Sequence, residues 1–420
     1  MRLALYQLDM AIAALRAVQQ LKGPADGVLR NFFRENNKLG VNDRTFIADT
    51  VFGVLRHFFS LKYITGTTIP RLLILAYLAK FRGMNLRELK PFITEAEIKQ
   101  LIKIKEMELD SLPLTIRTEF PEWLVEKIQA KMLDTNILAL GLSFQKQAPL
   151  DLRVNTLIAN RNDVLTRLST DGIGASATSY SPIGIRLVRK STIQSHEMFI
   201  TGNIEIQDEG SQLLGYLLQP KRGEIVVDFC AGAGGKALMM GALMASKGRI
   251  YAFDVSERRL NRLKPRLKRS GLSNLFPRWI SNENDVKVKR LAGKVDRVIV
   301  DAPCSGLGTL RRNPDIKLRQ TPESIEEAKR GQEAILVSAA KLLKPGGRLV
   351  YATCSFLPEE NQEIIENFLA AHTKFTLLNC AELFMQQKIP LDTGMFLQLY
   401  PGEHNTDSFF AAALMLARND

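Results

Sequence analysis

The chain has 420 residues, which at roughly 150 residues per domain points to two or three domains. Its 45% hydrophobic and 24% charged residues are ordinary for a globular protein and exclude a disordered, collagen-like or low-complexity chain. The 57 Lys+Arg against 44 Asp+Glu leave a net charge of +13, which favours a polyanionic partner, nucleic acid before membrane, although a basic but otherwise ordinary enzyme would carry the same balance.

Four cysteines, Cys230, Cys304, Cys354 and Cys380, are too few for a disulfide scaffold, and their spacing matches no zinc signature. No metal is expected, and a reducing cytoplasm is the natural compartment. No segment reaches the ~18 consecutive apolar residues of a membrane span. At the N-terminus, Asp9 interrupts the apolar run, and Leu8, Ile12 and Leu15 are spaced as on a helix, so this segment reads as a core helix rather than a signal peptide.

In chain order, residues 1 to about 115 read as helical. Ile47, Val51, Val54, Leu55 and Phe58 share one face, with Asn42 or Asp43 as the cap. The run Arg71 to Phe81 follows Pro70, which suits a first helical turn. From about 145 to 220 the pattern becomes a small α+β module. Leu150, Leu152 and Val154 alternate as in a strand, Asn162 to Leu168 starts a helix, and Ile183–Val188 and Met198–Ile206 read as strands with turns at Gly184 and Gly202. From about 222, strands and helices alternate as in a doubly wound parallel sheet. The strands are Ile225–Phe229, Arg249–Asp254, Val295–Ala302 and Arg348–Thr353. A helix capped by Thr321 with Pro322 at its first position continues through Leu343 to Gly346. Phe396–Tyr400 and Phe409–Leu416 read as an antiparallel pair. The domain boundaries follow as 1–140, 145–220 and 221–420.

Four motifs carry the chemistry. In VVDFCAGAGGKA, residues 226–237, a strand ending near Asp228 runs through a glycine turn into a helix, whose first amides are free for a ligand. The spacing is neither the dinucleotide fingerprint nor the phosphate loop. A nucleotide-like ligand is one reading, and a tight turn without a ligand is the other. Asp254 ends the next strand about 20 residues on, where an acid commonly accepts ribose hydroxyls, with a helix N-cap as its competing role. In DAPCSGLGTLRRNPDIK, residues 301–317, a strand delivers Asp301 and Cys304 to the carboxyl edge of the sheet. Arg311, Arg312 and Lys317 follow as candidate phosphate contacts. In YATCSFLPEENQE, residues 351–363, another strand brings Cys354 to the same edge. A lone cysteine is usually a small buried hydrophobe. Two at one edge, each followed by Ser, point to a shared crevice. Cys230 packs in or lines the glycine turn, and Cys380 reads as core.

These residues resemble the Sun/Fmu-type RNA 5-methylcytosine methyltransferases, close to the bacterial 16S rRNA enzymes of that group. The resemblance covers residue 145 onward. It rests on DAPCSG and TCS in this order, on Ile206, Gln207, Asp208, Ser211 and Gln212 of an IQDxxSQ segment, and on Arg153, Val154 and Asn155 of an RVN segment. The family's CAAPGGK appears here as CAGAGGK. The resemblance implies an α/β class I methyltransferase sheet with S-adenosylmethionine as cofactor. The cofactor would be held by Cys230, Ala231, Gly232, Ala233, Gly234, Gly235, Lys236, Asp254, Asn282 (by spacing, beside the adenine) and Asp301. It implies Cys354 as the nucleophile on cytosine carbon 6, Cys304 as the base or release group, Asp301 bonded to the cytosine amine and ring nitrogen, and Lys236 organising the charge. Carbon 5 of cytosine is a poor nucleophile, and addition of a thiolate at carbon 6 activates it. The segment NDRTFIADTVFGVLRH resembles a NusB-like RNA-binding helix, in which Arg44 and Arg56 either contact RNA or form salt bridges.

RNA, with rRNA first, is the implied partner. The target base must be unpaired or flipped out, and the small α+β module of 145–220 together with the basic stretch Arg258, Arg259, Arg262, Lys264, Arg266, Lys268 and Arg269 is expected to grip the backbone, with Pro265 kinking the helix. The rival readings are a tRNA cytosine-C5 methyltransferase and a catalytically weak ribosome-assembly factor. The sequence does not name the nucleotide or the oligomeric state.

Overall fold

The computed structural model describes residues 4–189 and 192–418. The chain forms two compact units. One comprises residues up to Gln147 together with Thr309–Pro322, and the other Ala148–Gly308 with Glu323 onward. The short excursion 309–322 is the part of the organisation that the sequence concealed. Nothing in TLRRNPDIKLRQTP reads as a helical-domain segment, and its one helix, Ile316–Arg319, has only four residues.

The first unit is helical from Leu5–Gln19 to Asp134–Gln145, well beyond residue 115. These last helices fall within the helical domain expected over 1–140, but Pro113 and Pro121 cut their pattern into pieces too short to show a period, Leu114–Thr118 and Glu122–Gln129. Pro70 sits at the first position of Pro70–Ala76, as expected. The helix Val41–Arg56 starts slightly earlier than the sequence suggested. Its N-cap is Gly40, and Asp43 reaches back from the first turn to accept the Gly40 amide at 3.2 Å.

Buried polar groups hold the excursion 309–322 in this unit. Glu119, in the left-handed region at φ 59°, accepts the Phe59 and Ser60 amides at the start of the helix Phe58–Thr65, each at 2.9 Å. Its carboxylate also receives Lys317 Nζ at 2.9 Å, and Lys317 donates as well to the Arg56 carbonyl. Burial pulls the Lys317 ammonium below its ordinary pKa, and Glu119 opposes that pull. Arg311 is buried and donates to the Gln147 carbonyl. Arg311 and Lys317 are therefore interior braces, not phosphate contacts: their polar atoms serve carbonyls and Glu119 inside the unit. Arg56 and Arg44 likewise donate to backbone carbonyls, Arg56 to that of Arg311 and Arg44 to those of Leu39 and Asn37.

The second unit contains two sheets. Strands β1 (Leu150–Val154), β2 (Ala175–Ala177), β3 (Gly184–Leu187) and β4 (Ile204–Ile206) form an antiparallel sheet in the order β2-β3-β1-β4. Of the expected strand 198–206 only the last third, Ile204–Ile206, is strand. Glu197–Ile200 is helical, and the chain turns at Gly202 with φ 80° before β4. A side chain at Gly202 would collide with the Arg269 carbonyl, while the Asn155 amide donates to the Gly202 and Ser270 carbonyls. This close approach keys the small sheet to the helix Glu257–Ser270.

The larger sheet holds β5 (Ile225–Asp228), β6 (Arg249–Asp254), β7 (Leu275–Trp279), β8 (Val295–Asp301), β9 (Leu343–Thr353), β10 (Phe375–Leu378), β11 (Leu397–Leu399) and β12 (Phe409–Leu416). Its order is β10-β12-β9-β8-β5-β6-β7, with β11 on β12. Strands β7, β6, β5, β8 and β9 are parallel, β12 joins antiparallel to β9, and β10 and β11 pair antiparallel to β12. This is the expected doubly wound α/β sheet with an antiparallel extension. The strand order reverses beside β5 and β8, at the crevice where such sheets bind ligands. The helix after Thr321 ends at Ala340, and Leu343 already belongs to β9. Buried side chains line both faces of the sheet. Val226, Ile250, Ile299 and Val350 lie in one core, and Val227, Phe253, Val298 and Tyr351 in the other. Among the described residues no helix is long and apolar enough to cross a membrane.

Candidate active site

The carboxyl ends of β5, β8 and β9 meet in an open cavity of about 460 Å³, in the size range of small-ligand sites. Its lining includes Cys230, Ala231, Gly232, Ala233, Gly235 and Lys236 from the glycine turn. Asp301, Pro303 and Cys304 come from the end of β8, and Cys354 from the end of β9. The two cysteine motifs, 50 residues apart in sequence, bring their sulfurs to 3.2 Å.

The glycine turn has the backbone that its residues allow. Gly232 adopts φ 56° and Gly234 φ 78°, and a Cβ at Gly234 would strike Leu263. Gly234 caps the helix Gly235–Leu243, which leaves its first amides near the cavity. Asp254, at the end of β6 and buried, accepts the Gly232 amide at 2.7 Å and the Ser256 amide at 2.6 Å, so it locks the turn to the next strand. The cap of the following helix is Ser256 itself. Neither Asp254 nor Gly234 lines the cavity. Asn282 is exposed, accepts the Asn284 amide and lies outside the lining.

The electrostatics are concentrated on two acids and one lysine. Lys236 Nζ donates to Asp301 at 2.5 Å. Burial opposes the lysine's charge, but Asp301 and Asp228 outweigh it, and its pKa rises above the ordinary value. Asp228 is 1% exposed, and neither of its oxygens finds a hydrogen-bond partner among the described residues. Burial raises its pKa to about 7, against the pull of Lys236 and with help from Asp301 and Asp254. Cys304 is pushed well above the usual thiol range, first by its hydrogen bond with Cys354 and then by burial, so it keeps its proton. Burial and the surrounding acids likewise keep Cys230 a thiol. Cys380 is buried in the core.

Three residues at the site take roles that their sequence patterns, the RVN segment, the basic stretch and the run after TCS, did not assign. Arg153 donates to the Gln207 side chain and, at 2.5 Å, to the Gly235 carbonyl, which fixes the RVN and IQD segments against the glycine turn. Arg266 donates to the Ala233 carbonyl at 2.7 Å and, with Arg269, pairs with Glu205. Glu360 joins the two cysteine loops from behind. The clue to Glu360 was the PEEN stretch after TCS, which reads by itself as an exposed turn.

The match to known proteins follows the same residues. The family described as 16S rRNA methyltransferase RsmB/F matches residues 215–415, and its ferredoxin-like domain matches 120–194. A probable ribosomal RNA small subunit methyltransferase B of Synechocystis is 34% identical over 74% of this chain and 70% of its own length. The chain belongs to the RsmB/F family. A relative of the same description from Bacillus subtilis is 28% identical over 97% of this chain and 98% of its own. Among solved structures, PH0851 covers 99% of both chains at 27% identity with a TM-score of 0.79. A methyltransferase homologue from Pyrococcus horikoshii covers 74% of this chain and 100% of its own at 30% identity and a TM-score of 0.62. S-adenosylmethionine is the methyl donor of this family, and the residues present fit it. An unpaired buried carboxylate, Asp228, faces a cavity that has to take a cationic sulfonium and ammonium, and glycine backbone lines the wall beside it.

Proposed function

We propose that this protein transfers a methyl group from S-adenosylmethionine to carbon 5 of a cytosine in ribosomal RNA. The observation that carries the reading is the pair of sulfurs, 3.2 Å apart, in one cavity with the glycine turn and the Lys236–Asp301 pair. Ribosomal RNA of the small subunit is named for the relatives. The methyl donor supplies an electrophilic methyl group. The glycine turn with Cys230, Ala231, Gly232, Ala233, Gly235 and Lys236 would hold it, shaped from behind by Asp254 and Gly234.

The protein's own residues supply the rest. Cys354, as thiolate, adds to carbon 6, and the electron pair displaced to carbon 5 makes that carbon nucleophilic. Asp301, paired with Lys236, would accept a hydrogen bond from the exocyclic amine of the base and share a proton with its ring nitrogen, which is itself an acceptor. Release requires the proton on carbon 5 to leave and the carbon–sulfur bond to break. Cys304 holds a proton next to the Cys354 sulfur. That proton passes to the departing sulfur, and the Cys304 sulfur then takes the proton from carbon 5. Both groups end as thiols, and loss of one proton from Cys354 resets the site. Free thiols of this kind suit a reducing cytoplasm.

The RNA backbone is proposed to lie against the helix Glu257–Ser270, where Arg258, Arg259, Arg262, Lys264 and Lys268 are exposed. Arg266 and Arg269 are held by Glu205 and serve the fold. The test is methylation of a 16S rRNA transcript with labelled S-adenosylmethionine, followed by bisulfite sequencing. One protected cytosine is expected. Label incorporated with no protected cytosine overturns the carbon-5 reading.

A further inference from the structure

Each catalytic cysteine is followed by a serine, and the structure gives those serines one partner. Glu360, fully buried in the turn Pro358–Glu360, accepts the Ser305 amide at 2.8 Å and the Ser305 hydroxyl at 2.5 Å. The same oxygen that takes the Ser305 hydroxyl also takes the Ser355 hydroxyl, so the two serine oxygens lie 3.2 Å apart. The Gln332 amide donates to the other oxygen at 3.0 Å and to the Pro303 carbonyl at 3.0 Å. Cys304 is thus bracketed on both sides, at Pro303 and Ser305, by groups tied to Glu360. On the other loop, the Asn361 amide donates to the Ser355 carbonyl and its oxygen accepts the Thr353 hydroxyl, which brackets Cys354. The Tyr351 hydroxyl, from within β9, closes the frame on the Glu360 carbonyl at 2.7 Å.

Four donors converge on this one carboxylate, and bonds to a carboxylate of this kind are short and directional. Two of the four come from one cysteine loop and one from the other. Neither loop can shift along its strand without breaking a bond to the same carboxylate. We propose that Glu360 is a positioning residue that sets the spacing of the Cys304 and Cys354 sulfurs. It touches neither substrate nor cofactor and acts through Ser305 and Ser355. Its negative charge also contributes to keeping Cys304 protonated, after the bond to Cys354 and burial. The consequence for turnover rests on the two-cysteine reading above, whereas the spacing itself does not.

The experiment therefore reads the spacing without RNA or cofactor. The full-length protein is treated with diamide, which accepts two electrons and two protons as the two thiols form a disulfide, and the cross-linked Cys304–Cys354 peptide is quantified by mass spectrometry over time. Glu360→Gln, which keeps the shape but turns a donor toward donors, is expected to slow cross-linking by roughly tenfold. It should lower kcat for methyl transfer about a hundredfold, as a displacement near 1 Å does, with KM for S-adenosylmethionine within about twofold. A folded Glu360→Gln protein that cross-links at the wild-type rate overturns the proposal, as does a wild-type protein whose two thiols do not cross-link. If Glu360→Gln does not fold, Ser305→Ala and Ser355→Ala carry the test. Each must slow cross-linking, and wild-type rates in both overturn it. Slowed cross-linking together with a wild-type protein that methylates no cytosine leaves the positioning role standing and removes the cytosine reading instead.

Discussion

Asp228 offers a prediction whose sign and size follow from its surroundings. It is buried at the end of β5 with neither oxygen partnered among the described residues, and its pKa is raised to about 7 from the ordinary 3.8. A carboxyl whose folded pKa lies above its unfolded one binds its proton more tightly in the native state. The fold is therefore unpenalised below pH 4, loses stability as pH rises from about 4 to 7, and carries the whole penalty above 7. The interval of about three units, at about 1.4 kcal/mol each, gives a penalty of up to about 4 kcal/mol. Asp228→Asn cannot ionise and escapes it. The variant's stability relative to the parent should climb by up to about 4 kcal/mol between pH 4 and pH 8, at roughly 1.4 kcal/mol per unit in the middle of the range. The assay is urea unfolding in a Trp123→Phe background, so that Trp279 on β7 reports on the unit that holds the site. A difference between the two proteins that stays flat with pH would refute the reasoning. The same variant should bind S-adenosylmethionine more weakly, because the acid that faces the cationic ligand is gone.

Other outcomes follow from the same structure. Lys317→Met strips the buried Glu119 of its only cationic partner among the described residues and should cost about 3 kcal/mol in the helical unit, read from Trp123 fluorescence in urea. A loss below about 1 kcal/mol would mean that the amides of Phe59 and Ser60 satisfy Glu119 by themselves. Replacing Arg258, Arg262, Lys264 and Lys268 together by Gln should flatten the dependence of log affinity for RNA on log salt by about three, at roughly 0.7 to 0.9 per phosphate contact. An unchanged slope would move the RNA to another face.

The sequence carried the parallel sheet, the glycine turn and the meeting of the two cysteines at one edge. All three depend on local pattern, on a strand ending in a motif, and on the rule that such strands point one way. It did not carry groups whose role comes from distant partners. Lys317 and Arg311 look like a basic surface when read beside DAPCSG, yet they are interior because the chain crosses into the helical unit at residue 309. Glu360 lies in a polar turn and becomes central only when Ser305, 55 residues upstream, folds against it. Strand β7 was invisible because Pro277 and Arg278 interrupt its apolar pattern on the sheet's edge. The basic helix was half legible. Its charge stood out, but the split between exposed side chains and the two arginines pinned by Glu205 depends on β4, which the sequence reading had merged with a helix.

If Cys354 attacks the base and Cys304 releases it, one measurement separates the two roles. Wild-type, Cys304→Ala and Cys354→Ala proteins are incubated with 16S rRNA transcript and S-adenosylmethionine and run on a denaturing gel. A slow-migrating protein–RNA adduct should accumulate only with Cys304→Ala, and Cys354→Ala should give no methylation. An adduct that forms with Cys354→Ala, or full methylation by that variant, would contradict these roles.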